Sequence, residues 1–237
     1  MLLSDPWMLM GAVLGLYLYD AALLLFHNEV VLEVRRRDFV VSGGSALEFG
    51  GRHLFLPNPC CPHRVLLRLA WSAAASPPRQ RARWQRARLT LVTLAPWTWL
   101  LLGLFFVGLP GALWLGTHVV LLGWLLSTYL VIVAMLVQVY RCRKALNLSA
   151  RAVLALAFDA LLCAPFALNI VRKISLRQEA VPDLRRAASS LLSPVQQTVL
   201  LGLLRERIRT SLDFAEPGSA ASNSLRACLK HFEDSAP

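Results

Sequence analysis

The sequence predicts a mainly α, polytopic helical membrane protein with three transmembrane helices, a conditional fourth, and a small cytoplasmic β-meander between the first two spans. Three observations carry this reading. The 237 residues are 56% hydrophobic and only 16% charged, with a mean hydropathy of +0.52; soluble domains average about 45–50% apolar and about 25% charged. The excess apolar residues fall into long runs that contain no Lys or Arg. The net charge of +11 is confined to the segments between and after those runs. Such a composition excludes a disordered chain, a collagen-like chain and a small disulfide scaffold.

Residues 7–26 form the first run, WMLMGAVLGLYLYDAALLLF, with Asp20 as its one charge. About twenty residues suffice to cross a hydrocarbon slab as a helix. No basic residue precedes the run and no small-x-small site follows it, so a span is expected rather than a cleaved signal peptide. Its basic flank, Arg35, Arg36 and Arg37, comes afterwards. The positive-inside rule therefore predicts an N-terminus outside and residues 27–88 in the cytoplasm of a bacterial inner membrane.

The 27–88 segment carries eleven Arg against Glu29, Glu33, Asp38 and Glu48, a net of +7. Val30-Val31-Leu32-Glu33-Val34, Phe39-Val40-Val41, residues 46–49 and residues 53–56 read as short strands. Gly43-Gly44 and Gly50-Gly51 punctuate them, which predicts an antiparallel meander. Pro57, Pro59 and Pro62 end that sheet. Helical spacing resumes over 65–75, and the basic stretch from Arg79 to Arg88 leads into the second span.

Runs 89–109 and 112–140 follow, with Pro110-Gly111 as the expected turn of a transmembrane hairpin. The hairpin ends in Arg141, Arg143 and Lys144, so basic residues flank both of its cytoplasmic ends. Run 153–171 is the conditional span. A central Asp costs about 2.5–3.5 kcal/mol, whereas each Leu, Ile, Phe or Val returns about 0.3–0.6; the ten such residues of this run offset Asp159 and leave Pro165 and Asn169 uncompensated. It reads either as a fourth span supported by its neighbours or as a surface or re-entrant helix, and the side occupied by the tail follows from that choice. In the tail 172–237, Ser193-Pro194 marks a helix start. Val195, Val199, Leu203 or Leu204, Ile208 and Leu212 predict an amphipathic helix over 194–212. The domain organisation expected is thus 1–26, 27–88, 89–140, 141–171 and 172–237.

Three constellations have chemical interest. Asp20 lies six residues before the inner end of run 7–26 and Asp159 six residues after the start of run 153–171, so that, where run 153–171 spans, each is about 9 Å deep at 1.5 Å per residue. Paired intramembrane acids at one depth can mark a proton or ion path. The bland alternative is that Asp20 is hydrated near the headgroups or paired with a cytoplasmic Arg, and that Asp159 faces water on a surface helix. Cys60, Cys61 and His63 carry zinc- or copper-ligand chemistry, although adjacent cysteines suit one tetrahedral ion poorly; a proline-punctuated loop explains the same residues. Arg79, Arg81, Arg83, Arg86, Arg88, Arg141, Arg143 and Lys144 suit contact with anionic headgroups. No nucleic-acid recognition motif accompanies them, and no cofactor motif or soluble-enzyme signature is present.

No motif assigns an activity. The expectation is a structural or accessory protein that touches anionic lipid and binds a partner through its cytoplasmic segment or tail. A transport component using Asp20 and Asp159 is the alternative, and a membrane-embedded enzyme the third reading.

Overall fold

The computed structural model describes residues 6–26, 28–35, 39–45, 47–50, 52–70, 88–177 and 192–213, with short pieces between 218 and 230. It is mostly helical, with a smaller antiparallel strand component. The chain divides into two compact units. One comprises Met1–Ala22, Leu56–Val65 and Ala82–Glu179; the other comprises Leu23–Phe55, Leu66–Arg81 and Ala180–Pro237.

The first unit is helical. Helix α1, Pro6–Ala21, is about 24 Å long at 1.5 Å per residue. It stops five residues short of the expected inner end, because Leu23–Leu25 is a strand. A continuous apolar run has no period with which to separate helix from strand, and here strand pairing decides. Helix α2, Arg88–Leu115, and helix α3, His118–Arg141, are each long and apolar enough to cross a membrane, whereas α1 is shorter, so two of the three expected spans reach that length.

The turn between α2 and α3 is not at Pro110-Gly111. The chain stays helical through that dipeptide and reverses at Gly116, whose φ of 65° is the left-handed conformation that ends helices. Proline survives inside α2 because Leu104–Gly108 just before it widens into a π-turn, with the Leu109 N–H bonding back to the Leu104 carbonyl. The wider turn relieves the clash between a helical proline and the carbonyl four residues earlier. Trp124 of α3 donates its indole N–H to the same carbonyl at 2.7 Å. A Cβ on Gly108 would lie 3.2 Å from the Trp124 ring, so the close approach of the two helices favours glycine there.

The conditional fourth run does not form one helix. Helix α4 is Ala150–Leu162, capped by the Ser149 hydroxyl accepting the Ala152 N–H. Cys163 then breaks it with φ −130° and ψ 88°, and a 3-10 segment, Ala164–Asn169, leads into helix α5, Ile170–Leu176. A straight 27-residue helix would separate Asp159 and Lys173 by about 21 Å along its axis. Their side chains instead lie 3.5 Å apart, so the chain bends sharply between them. Pro165 and Asn169, the residues that made insertion unfavourable, lie in this bend. Around it Leu101, Phe105, Ile132, Met135, Leu156, Leu168, Val171 and Ile174 are buried.

The second unit holds strands β1 (Leu23–Leu25), β2 (Glu29–Val34), β3 (Phe39–Ser42), β4 (Glu48–Phe49), β5 (Arg52–Phe55) and β6 (Leu66–Ala70). The expected single meander is two three-stranded antiparallel sheets, in the orders β1-β5-β4 and β3-β2-β6. The stretch expected to be helical from residue 65 supplies β6. Five residue pairs from Glu29↔Ala70 to Glu33↔Leu66 hold it to β2, and an Arg68–Glu29 ion pair adds to them. Non-local pairing overrides the weak helical spacing. Helix α6, Pro194–Asp213, matches the expected tail helix to one residue, but its face is rotated. Leu200, Leu204, Arg207 and Ile208 are buried, whereas Val195 and Val199 are exposed. It lies against β3, where the Val41 N–H donates to Gln196 Oε1 at 3.2 Å. Arg207 donates to the backbone carbonyls of Phe26, Glu29 and Gly43.

Candidate functional site

The most connected polar cluster of the helical unit gathers where the last turn of α1, the 56–65 loop and the 164–176 segment meet. Tyr17 and Asp20 are three residues apart in α1 and so share a face. Asn169, Arg172 and Lys173 have the same relation across the junction from 3-10 segment to α5. Two short helical faces thus present five polar side chains to one another.

Asn169 is the hub. Its side-chain amide donates to the Tyr17 carbonyl at 3.0 Å and to Asp20 Oδ2 at 3.1 Å, while its Oδ1 accepts from Arg172 at 2.9 Å. Lys173 Nζ bridges the two carboxylates, 2.6 Å from Asp20 and 3.5 Å from Asp159, and sits 4.8 Å over the Phe166 ring. The two bridges differ in setting. The Asp20 side chain is 9% exposed and that of Asp159 is 44% exposed.

Arg172 is 2% exposed. It donates to the carbonyls of Asn58 at 2.6 Å and Cys61 at 3.1 Å. The Tyr17 hydroxyl, 3.4 Å from the guanidinium, donates in turn to the Pro59 carbonyl at 2.6 Å. A guanidinium presents five N–H donors in a rigid fork, which suits it to joining a helix, a loop and an amide at once. The cluster holds two carboxylates and two cations, so its formal charge balances.

This geometry revises the sequence expectations. Asp20 and Asp159 do come to one place, but through a shared lysine and not through equal helix depth, since α1 ends one residue after Asp20. The apolar runs themselves hold no Lys or Arg, but Lys173, two residues beyond the last of them, returns through the bend to meet both acids. Tyr17, Asn169, Arg172 and Lys173 are the site residues that sequence reading missed. The available signal was their spacing of three or four, which becomes informative once the bend is known.

Cys60, Cys61 and His63 lie in the loop that receives Arg172, yet the loop contributes its backbone to the cluster. Cys60 is exposed, and the His63 ring lies 5.3 Å from that of Trp99. Among the described residues, no three His, Cys, Asp or Glu side chains gather as a metal-holding group. Of the basic residues singled out for lipid contact, Arg88 opens α2, Arg141 ends α3 with its side chain exposed, Arg143 stacks 4.1 Å over Tyr140, and Lys144 is exposed. Arg79, Arg81, Arg83 and Arg86 lie outside the described residues.

Chemically, the cluster fixes a bend. The two carbonyls that Arg172 meets lie in the 56–65 loop and the two carboxylates at Lys173 lie in α1 and α4, so together they hold the 164–176 segment to α1, to α4 and to the loop. No family model, no curated protein and no solved structure matches this chain.

Proposed function

We propose that this chain is an integral protein of a bacterial inner membrane with a structural or accessory role, in which the Asp20–Lys173–Asp159 cluster locks a re-entrant segment and the strand-rich unit meets a protein partner in the cytoplasm. The observation that carries the membrane assignment is the exposure of its most apolar helices. Only 28% of the apolar window of α2 and 22% of that of α3 is buried. The apolar core helix of a soluble protein is mostly covered by its own chain, whereas these two leave Val107, Trp114, Val119, Leu122 and Leu126 bare. Exposed apolar surface of that extent suits lipid.

In this reading α1, α2 and α3 cross the bilayer and the bent 150–176 segment does not. The packing of tail helix α6 on β3 supports that count, because it requires the tail and residues 27–88 to share a side. All 25 basic residues then lie on the cytoplasmic side, 11 in residues 27–88, 4 in residues 141–151 and 10 in the tail, as the positive-inside rule favours. The cluster supports an accessory role over transport. Two neighbouring carboxylates are useful for proton carriage when they compete for a proton; here Lys173 stands between them and Asn169 occupies Asp20.

A C-terminal reporter fusion tests the topology, with activity expected on the cytoplasmic side; external activity would establish a fourth crossing and refute the re-entrant segment. Proteoliposomes test the role. The expected result is no proton flux above that of empty vesicles, and a flux abolished by Asp20→Asn and by Asp159→Asn would replace the accessory reading with transport.

A further inference from the structure

The sheet β1-β5-β4 has two unlike faces, and its register sorts every residue between them. Leu23 pairs with Phe55, Leu24 with Leu54 and Leu25 with His53; on the other side Phe49 pairs with Arg52. The Leu54 N–H bonds the Leu47 carbonyl, which extends that pairing. Residues directly opposite one another, and residues two apart along a strand, share a face. One face therefore carries Leu23, Leu25, His53 and Phe55, with Glu48 paired to His53, and of these Leu25 and Phe55 are buried. The other carries Leu24, Phe26, Leu47, Phe49, Arg52 and Leu54. On that face Leu24, Phe26, Leu47 and Phe49 are 39%, 44%, 61% and 57% exposed. Arg52 lies 4.2 Å over the Phe26 ring, which independently puts the two on one side.

A half-buried sheet ordinarily turns polar residues to water. This one turns four large apolar residues outward, accompanied by one described charge, and that charge is a cation. We propose that this face lies in the headgroup and upper acyl region of an anionic membrane, with Leu24, Phe26, Leu47 and Phe49 entering the apolar layer and Arg52 meeting lipid phosphate. Two observations commit the face to lipid. Leu24 follows the last residue of α1 by three residues, so the chain can carry it no more than about 10 Å from that helix end. The charge is also of the sign that a cytoplasmic leaflet attracts. Amphipathic elements with Phe and Leu on one side and Arg at the rim are the usual occupants of this layer. The proposal rests on the membrane assignment made above for α1 and the α2–α3 hairpin.

The test is spin labelling of the full chain, with its five cysteines replaced by serine, in vesicles containing phosphatidylglycerol. Labels go in turn at Phe49→Cys, at Leu47→Cys as a second site on the face, at Val119→Cys in the hairpin, and at Ala145→Cys in the basic loop as the aqueous reference. Accessibility to oxygen is compared with accessibility to a water-soluble nickel chelate. The expected result is that Phe49→Cys and Leu47→Cys invert the oxygen-to-nickel ratio of Ala145→Cys in the direction of Val119→Cys. Nickel-accessible labels at 47 and 49 beside a lipid-embedded label at 119 would overturn the proposal and leave the membrane reading standing. Labels at 47 and 49 shielded from both reagents would overturn it in favour of a protein cover, a partner or a second copy. A nickel-accessible label at 119 would remove the membrane reading and the proposal with it.

Discussion

Replacing Lys173 with Met removes the bridging cation and keeps most of the side-chain volume. Asp20, 9% exposed and 2.6 Å from the ammonium, then retains the Asn169 amide at 3.1 Å and loses its charge partner. Removing one member of a buried ion pair costs about 3–5 kcal/mol. Lys173 is 19% exposed, so the expected loss is at the lower end, about 3 kcal/mol. The second bridge is longer, at 3.5 Å, and ends on an Asp159 that is 44% exposed; Asp159→Asn should cost about 1 kcal/mol or less. In a chain of this size about 1 kcal/mol moves the unfolding midpoint by roughly 2–4 °C. In one fixed detergent, read by intrinsic tryptophan fluorescence, Lys173→Met should lower the midpoint by about 6–12 °C and Asp159→Asn by a few degrees at most. Combining Asp20→Asn with Lys173→Met should recover part of the loss, because no uncompensated charge remains. An Asp159→Asn variant as damaging as Lys173→Met would show that both bridges are equally desolvated and refute the ranking. A Lys173→Met midpoint indistinguishable from that of the parent would refute the lock itself.

Three further outcomes follow from individual contacts. Gly116→Ala places a Cβ on a residue with φ 65° and should destabilise by about 1 kcal/mol, seen as a small drop in the same midpoint; an unchanged midpoint would mean that the α2–α3 turn lies elsewhere. Gly43→Ala puts a Cβ 2.6 Å from Leu203 Cδ1 and 2.8 Å from Arg207 Nη2. The overpacking should cost about 1–3 kcal/mol and speed release of the tail by limited proteolysis, with equal release in variant and parent counting against the α6–β3 packing. Arg172→Lys replaces a fork by a point charge and strands carbonyls of Asn58 and Cys61, each worth about 1–3 kcal/mol when buried and unmet. Its distinguishing readout is faster maleimide labelling of Cys61 relative to exposed Cys60, and an unchanged ratio would show that the loop does not depend on Arg172.

Much of the helical framework was legible without coordinates, because burying an apolar run needs only length and composition. The boundaries were less so. Leu23, Leu24 and Leu25 extend α1 on any hydropathy count, yet they pair with β5, and a run apolar at every position cannot report its own period. Pro110-Gly111 reads as a turn from local chemistry; the π-turn that absorbs the proline depends on where Leu104 and Trp124 meet. The strand β6 was hidden in a stretch with acceptable helical spacing and became a strand through pairing with Glu29–Val34, about forty residues away.

The site divides in the same way. Asp20 and Asp159 stand out in the sequence because a carboxylate within an apolar run is costly and therefore conspicuous. Their partners do not. Arg172 and Lys173 resemble an ordinary basic flank, Asn169 resembles a helix breaker, and Asn58 and Cys61 act through carbonyl oxygens that every residue possesses. What the sequence carried was the segregation of charge from apolarity, hence the approximate place of α2 and α3, two of the three spans expected, and the start of the tail helix at Pro194. Only the tertiary structure decided that the chain bends at Cys163 and brings Lys173 back between the two carboxylates. Hydrophobicity is a property of each residue and sums along the chain, whereas an ion pair is a property of distance, and distance across a bend is written in no local stretch of sequence.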